Sequence, residues 1–311
     1  MKHIFTILTL IAIYFNSFSQ GNVIPEFSKI SRPQYFSKIT DGWLKIHPNA
    51  SSNGSDATIT VTKLDSLENL IWEYDYTCGY NNVVIGFNEC LDGGLIIYGR
   101  TEDYFGEGGA LLLKITSNGT LEFYKQYNDF EINLGQLSGI GKSEAKFAFQ
   151  KNDGGYVIIG KHWKYEGGNY NNTNELLISV DSSGDTLWCQ SFGIDPETWT
   201  FNEEFGVCGL ELPNGNIVVV GNHYFRELNP DGQEQFCTIF PVNSYTDETI
   251  NPIYDCNLNY FPNETFKYIA YNDNSITLFD SLGNQMGKYA HELNFSTSEK
   301  LTRGNTGCML T

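Results

Sequence analysis

The residue types able to do chemistry gather in three stretches of this chain. Glu102, Asp103, Tyr104, Phe105 and Glu107 form the first. His162, Trp163, Tyr165, Glu166 and Tyr170 form the second. Asp195, Glu197, Trp199, Phe201, Glu203 and Glu204 form the third. Each mixes carboxylates with rings. Rings stack on sugars or apolar side chains, while carboxylates accept hydroxyl hydrogen bonds or coordinate calcium. The ligand-binding expectation therefore rests on Tyr104, Phe105, His162, Trp163, Tyr165, Trp199 and Phe201, with a glycan or a protein as the ligand. No catalytic residue is assigned, and no cofactor is expected; calcium has no motif to support it.

Other chemistries fail on spacing. Gly135–Ser143 reads GQLSGIGKS, with five residues between the outer glycines where a phosphate-binding loop needs four. The histidines His47, His162, His223 and His291 show no metal-ligand spacing. No Ser-His-Asp set has a recognisable local context. Ser179-x-Asp181-x-x-Gly184-x-x-x-Trp188 resembles the Asp-box of sialidases but has one residue too many before Gly and another before Trp. The clustered arginines that such enzymes need are missing, because Arg32, Arg100, Arg226 and Arg303 are far apart in sequence. A glycosidase would need two carboxylates facing each other across a cleft, and spacing alone cannot pick the pair. A glycan-active hydrolase thus stays as the alternative to a binding module, beside a purely structural repeat.

The elements that position these stretches recur. An Asp-Gly or Asn-Gly turn begins at Asp41, Asp92, Asp153 and Asn214, and in degraded form at Asn263. Gly93, Gly154 and Gly215 supply the positive φ that tight turns need. Seven positions later stands a small residue: Gly99, Gly160, Gly221 and Ala270, with Pro48 breaking the rule. A second turn starts at Asp65, Thr116, Asp181, Asn229 and Asp280. Seven positions on come Trp72, Phe123, Trp188 and Phe236, while the fifth unit has Met286 one place early. The apolar runs after the first turn, such as Val157-Ile158-Ile159, are continuous and not alternating. Strands of that kind want burial on both faces. Units of four strands repeating about every fifty residues predict an all-β fold, a β-propeller of four-stranded antiparallel blades. The blades are expected at about 33–76, 83–127, 145–192, 205–240 and 253–290, with 306–311 as one extra strand of a sixth. On this reading the recurrent aromatics fill the wedge between blades, and the recurrent glycines let neighbouring sheets approach. The three chemistry-bearing stretches then share the face that carries the long loops, where binding concentrates.

The 311 residues carry 37 acidic and 19 basic side chains, a net charge of −18. Such a surface repels phosphate backbones, so no nucleic-acid partner is expected. Residues 1–19 read as a signal peptide: Lys2, an apolar Ile4–Phe15 core and a Ser17-Phe18-Ser19 cleavage site. Residues 20–32 follow as a leader, and no later segment is apolar enough to span a membrane. Seven cysteines contain no Cys-x-x-Cys pair. Cys189 and Cys237 occupy equivalent outer positions, too far apart to pair, whereas Cys90, Cys208, Cys256 and Cys308 fall in first strands near the axis, where pairing is open.

Asp92–Gly119 and Asp153–Trp188 carry a resemblance to the repeats of secreted Bacteroidetes β-propeller proteins. The likeness covers nearly all of the chain after residue 19. It implies export to periplasm, cell surface or medium, and it is silent on function. Many such proteins end in a sorting domain read by export machinery; none is seen here, and a chain ending one strand into a sixth unit reads as truncated, with a five-bladed ring closed by the C-terminal strand as the alternative. Asp65-Ser66-Leu67, Asp185-Thr186-Leu187 and Asp280-Ser281-Leu282 also resemble the O-glycosylation sites of that lineage.

Overall fold

The computed structural model describes residues 35–49, 57–79, 81–102, 108–128, 142–166, 169–193, 205–239, 257–262, 264, 267–272, 275–290, 301–304 and 307–310. All belong to the unit Pro33–Thr311, and among them there is no helix. Five four-stranded antiparallel sheets follow one another, each a meander in chain order. Sheet one holds β1 (Tyr35–Ile39), β2 (Gly42–Asn49), β3 (Thr58–Leu64) and β4 (Leu70–Thr77). Sheet two holds β5 (Asn81–Glu89), β6 (Leu95–Glu102), β7 (Gly108–Ile115) and β8 (Leu121–Tyr127). Sheet three holds β9 (Lys142–Gln150), β10 (Tyr156–Glu166), β11 (Asn169–Val180) and β12 (Thr186–Phe192). Sheet four holds β13 (Gly206–Glu211), β14 (Ile217–Gly221), β15 (Tyr224–Leu228) and β16 (Glu234–Ile239). Sheet five holds β17 (Asn257–Tyr260), β18 (Tyr268–Asn272), β19 (Ser275–Phe279) and β20 (Gln285–Ala290).

The fold is thus an all-β, propeller-like repeat. The end differs from expectation. Two strands, β21 (Leu301–Gly304) and β22 (Gly307–Leu310), pair antiparallel, so the last strand is half of a hairpin and not a lone strand.

Burial on both faces is what the apolar runs achieve. Leu95 and Ile97 pack with Leu44, Ile46, Ile59 and Val61 of sheet one. Ile96 and Tyr98, their alternates, pack with Ala145, Ala148, Ile158 and Ile178 of sheet three. Val157 and Ile159 then meet Ile217 and Val219, while Val218 and Val220 meet Tyr268, Ala270 and Phe279. Successive strand residues point to opposite faces, so one run serves two interfaces. Each buried aliphatic side chain contributes about 1.5–3 kcal/mol.

Polar latches fix the stacking. A backbone N–H near the strand-one-to-strand-two turn of sheets one, two and three donates to the side chain that ends strand one of the next sheet: Thr40 to Glu89 (3.1 Å), Leu91 to Gln150 (2.7 Å) and Asn152 to Glu211 (2.6 Å). The strand-four aromatics reach the next sheet's outer turn. Trp72 donates to Ser117 O (3.3 Å) and Trp188 to Pro230 O (2.9 Å). Tyr76 and Tyr127 hydroxyls donate to Gly119 O (2.6 Å) and Gly184 O (2.8 Å). A Cβ on Gly119, Gly184 or Gly232 would meet Tyr74 and Trp72, Phe123 or Trp188 respectively, within 3.1 Å. Trp72, Phe123 and Trp188 therefore stand at one matching station. Phe236 departs from it: it stacks on Phe225, and Phe225 takes the place under Gly283.

The turn residues are structural. Asp92 accepts from the Gly94 amide (2.8 Å) and from Lys114 (2.8 Å); Asp153 repeats this with Gly155 (2.9 Å) and Lys151 (2.9 Å). Asn214 accepts from the Asn216 amide at 3.1 Å. Asp65, Asp181, Asn229 and Asp280 cap the second turn by accepting two amides each. Just after this turn every sheet has a bulge in strand four, with exposed Ile71, Glu122, Leu187, Gln235 and Met286 as the extra residues. A bulge at an outer strand spoils it as a template for pairing with another chain.

The small residue seven places after the first turn has a different cause from the one expected. Strand one bulges opposite it at Ile85, Lys146 and Val207. A Cβ on Gly99 or Gly160 would lie 2.0 Å from Val83 O or 1.9 Å from Glu144 O. The crowding at these two positions comes from within the sheet, not from its neighbour. Cysteine placement is mixed: Cys208 is disulfide-bonded, whereas Cys78 and Cys90 are buried thiols that burial pushes up to about 12. Neither thiol is a nucleophile near neutral pH.

Two outcomes follow for the fold. Gly160→Ala should cost about 2–4 kcal/mol in chemical denaturation, because backbone must move. Gly154→Ala, at φ +90° but with nothing within 4 Å of a new Cβ, should cost about 1–2 kcal/mol; equal losses would refute the bulge argument. Burial raises the Asp92 and Asp153 carboxyls, but the lysine and amide bonds outweigh it and hold both below 3.8. Their stabilisation is present above the unfolded value and lost as pH falls through the lowered one. The pair Asp92→Asn and Asp153→Asn should therefore be less stable at pH 7 and lose less on acidification below about pH 4. An acid limb as steep as the parent's would contradict this.

Candidate functional site

Tight turns occupy one end of sheets one to four, so the opposite end carries the ends of strand two, the starts of strand one and the connections between sheets. Charged and aromatic side chains from three sheets converge there. Arg100 and Glu102 come from β6, Glu144 and Lys146 from β9, Lys161 and Trp163 from β10, and Phe205 from the residue before β13. Lys161 and Trp163 are two apart on one strand and share its face, with the ammonium 4.7 Å from the indole centroid. Arg100 lies 5.9 Å from the same ring. Lys146 and Lys161 stand 5.8 and 5.6 Å from the Phe205 ring. Glu144 binds Lys146 at 2.6 Å and lies 3.9 Å from Arg100, which is 3.4 Å from Glu102.

The strand-one bulge helps to build this cluster. Lys146 is the extra residue, and a bulge re-aims its side chain. Arg100 and Lys161 follow Gly99 and Gly160 directly and so occupy the same station of consecutive sheets. Cations held over aromatic rings are fixed in position by the attraction of the ring face.

The residues named from sequence separate here. Trp163 belongs to the cluster and is half-buried. His162, one residue earlier, is 2% exposed and bonds Ser191 Oγ through Nε2 at 2.5 Å, on the other face of the strand. Tyr165 is placed on β10 by its backbone. Tyr104, Phe105, Trp199 and Phe201 lie outside the described residues. Arg100, Glu144, Lys146, Lys161 and Phe205 were missed, because a lone cation inside an apolar strand has no motif. Aligning the repeats would have found Arg100 and Lys161 together.

Arg226 is used elsewhere. It bonds buried Glu175 at 3.0 Å across sheets three and four, pairs with Glu234 and lies 3.9 Å from the Phe192 ring. Removing one partner of such a buried pair costs about 3–5 kcal/mol, which marks it as a staple of the fold. Among the described residues no group of three or more His, Cys, Asp or Glu is placed to hold a metal. No helix among them is long and apolar enough to cross a membrane. Ser66, Thr186 and Ser281, the hydroxyl residues of the glycosylation-like triplets, are exposed.

No known family's sequence profile matches this chain, and no curated protein matches it. Solved structures give distant likenesses. A protein of unknown function from Bacteroides caccae has a TM-score of 0.41 at 12% identity, covering 79% of this chain and 73% of that one. A Lactobacillus plantarum protein has a TM-score of 0.44 at 11% identity, covering 79% and 66%. An extracellular domain from B. thetaiotaomicron has a TM-score of 0.42 at 13% identity, covering 85% and 33%. The chain thus spans about three quarters, two thirds and one third of these proteins. At such scores none of them says what this chain does.

Proposed function

We propose that this is an exported, non-catalytic binding module: a β-propeller whose blades are the five sheets and whose ligand, a glycan or a protein, sits at the end opposite the tight turns. One observation carries the reading. The cluster of Trp163, Lys161, Arg100, Lys146 and Phe205 draws on three successive sheets, so its geometry is set by how sheets stack and not by one loop. Rigid scaffolds with polar and aromatic groups at one end are suited to recognition. The propeller reading is supported by latches that repeat from sheet to sheet in one orientation. Export is supported by the signal-like first nineteen residues and by a disulfide at Cys208, since disulfides persist in oxidising compartments.

A glycan array with a parallel assay for released reducing sugar tests this reading. Binding without turnover is expected; sugar release would move the assignment to a hydrolase, and silence in both to a structural repeat. Trp163→Ala should weaken the bound glycan about tenfold or more while leaving the melting temperature nearly unchanged. His162→Ala should do the reverse, lowering stability with little effect on affinity. A Trp163→Ala protein that binds as the parent does would remove the site.

A further inference from the structure

We infer that the face of sheet one turned away from sheet two is a second binding surface, and that its ligand is a neutral saccharide chain. The inference goes beyond the reading above, since none of its residues belongs to the Trp163 cluster. Strand register lays the face out. Leu44, Ile46, Ile59 and Val61 point to sheet two, so their neighbours along each strand point the other way. Pairing sets those neighbours in rows: Lys38, Trp43, Leu64 and Leu70; then Phe36, Lys45, Thr62 and Glu73; then His47, Thr60 and Asp75.

The first support is a break in the repeat. At the matching stations sheet two carries Leu95, Ile97, Leu111, Leu113 and Ile115, all buried against sheet one. Sheet three likewise buries Ile158, Leu176, Ile178 and Val180 against sheet two. Sheet one has Trp43, Lys45, Thr60, Thr62 and Leu64 in those places. Covering it with another aliphatic sheet would strip water from two hydroxyls and an ammonium group, which is costly. The face is composed for a polar partner.

The second support is the pairing of rings with hydrogen-bond acceptors. Phe36 and Trp43 stand parallel, with centroids 5.0 Å apart and planes 6° apart. Such stacks are offset, which leaves part of the outer ring open, and Phe36 is 40% exposed, with Lys45 5.6 Å from its centroid. The apolar face of a sugar ring has a seat there. Beside the rings, Thr62 donates to Glu73 (2.7 Å) and Thr60 to Asp75 (2.6 Å), each bond using one carboxylate oxygen. Both carboxylates are exposed, so their second oxygens can accept sugar hydroxyls.

The third support comes from charge and size, which choose among occupants. Lys38 and Lys45 balance Glu73 and Asp75, so the face favours a partner without net charge. Four strands with a longest run of eight residues make a plane of about 14 by 24 Å. That is less than half of the roughly 800 Å² per partner that a stable protein–protein contact buries. A second copy of the chain would be held weakly, whereas a saccharide chain fits a plane of this size.

Titration calorimetry with neutral gluco-, xylo- and manno-oligosaccharides of graded length tests the inference on the full chain carrying Trp163→Ala, which takes the other site out of the measurement. At least one series should still bind, more tightly as the chain lengthens and without dependence on salt. Adding Phe36→Ala should weaken it about tenfold or more. Phe36→Leu keeps an apolar side chain without the ring; it should melt as the parent does and lose as much affinity. Glu73→Gln with Asp75→Asn should also weaken binding several-fold. Affinity that is equal in parent and Trp163→Ala, and lost with Phe36→Leu, supports this surface and removes the Trp163 site. A series bound by the parent and lost entirely in Trp163→Ala overturns the inference and leaves the Trp163 site standing. Binding that survives Trp163→Ala but ignores the Phe36 and carboxylate changes overturns it, as does failure of every series to bind. A concentration-dependent dimer in sedimentation equilibrium that Phe36→Ala abolishes gives the face to a second copy and overturns it too.

Discussion

Every sheet in this protein depends on a neighbour to bury it. A four-stranded meander of this length cannot shelter its own apolar residues, since one face always remains open. The chain solves this with runs of consecutive aliphatic residues and not with alternation. In Leu95-Ile96-Ile97-Tyr98 the odd positions serve the interface with sheet one and the even positions the interface with sheet three. The same division holds in Val157-Ile158-Ile159 and in Ile217-Val218-Val219-Val220. Apolar contact is non-directional, so it cannot alone choose how two sheets slide. The Thr40–Glu89, Leu91–Gln150 and Asn152–Glu211 bonds choose for it, together with aromatic rings seated under the next turn.

Much of this was legible because it is local. A turn that needs positive φ announces itself through Asp-Gly or Ser-Gly, and a two-face strand through an unbroken aliphatic run. The aromatic station was legible as a spacing, and Trp72, Phe123 and Trp188 share it. Phe236 shows the limit of spacing: a second aromatic at Phe225, invisible to the repeat, takes over the role. The small residue at Gly99 and Gly160 was found for the wrong reason. Its cause is a bulge in strand one, and bulges leave no signature in a single sequence.

The candidate site was less legible for the same reason. Trp163 stood out as a large ring beside a loop. His162 stood out as a titratable group, yet period two sends it to the opposite face, where it meets Ser191. Arg100 and Lys161 look like stray cations until consecutive sheets bring them to one indole. The acidic composition argued against nucleic acid as a partner. It did not reveal that a few basic groups collect at one end.

The stacking of the sheets requires that adjacent residues of one strand belong to different interfaces. The coupling free energy between Ile97 and Leu44, measured by a double-mutant cycle in chemical denaturation, tests it most directly when set against that between Ile96 and Leu44. Coupling of about 0.5 kcal/mol or more for the first pair and near zero for the second is what stacked, mutually buried sheets require. Equal couplings, or the larger value for Ile96, would mean that the sheets do not stack in this way, and the shared site at their ends would go with them.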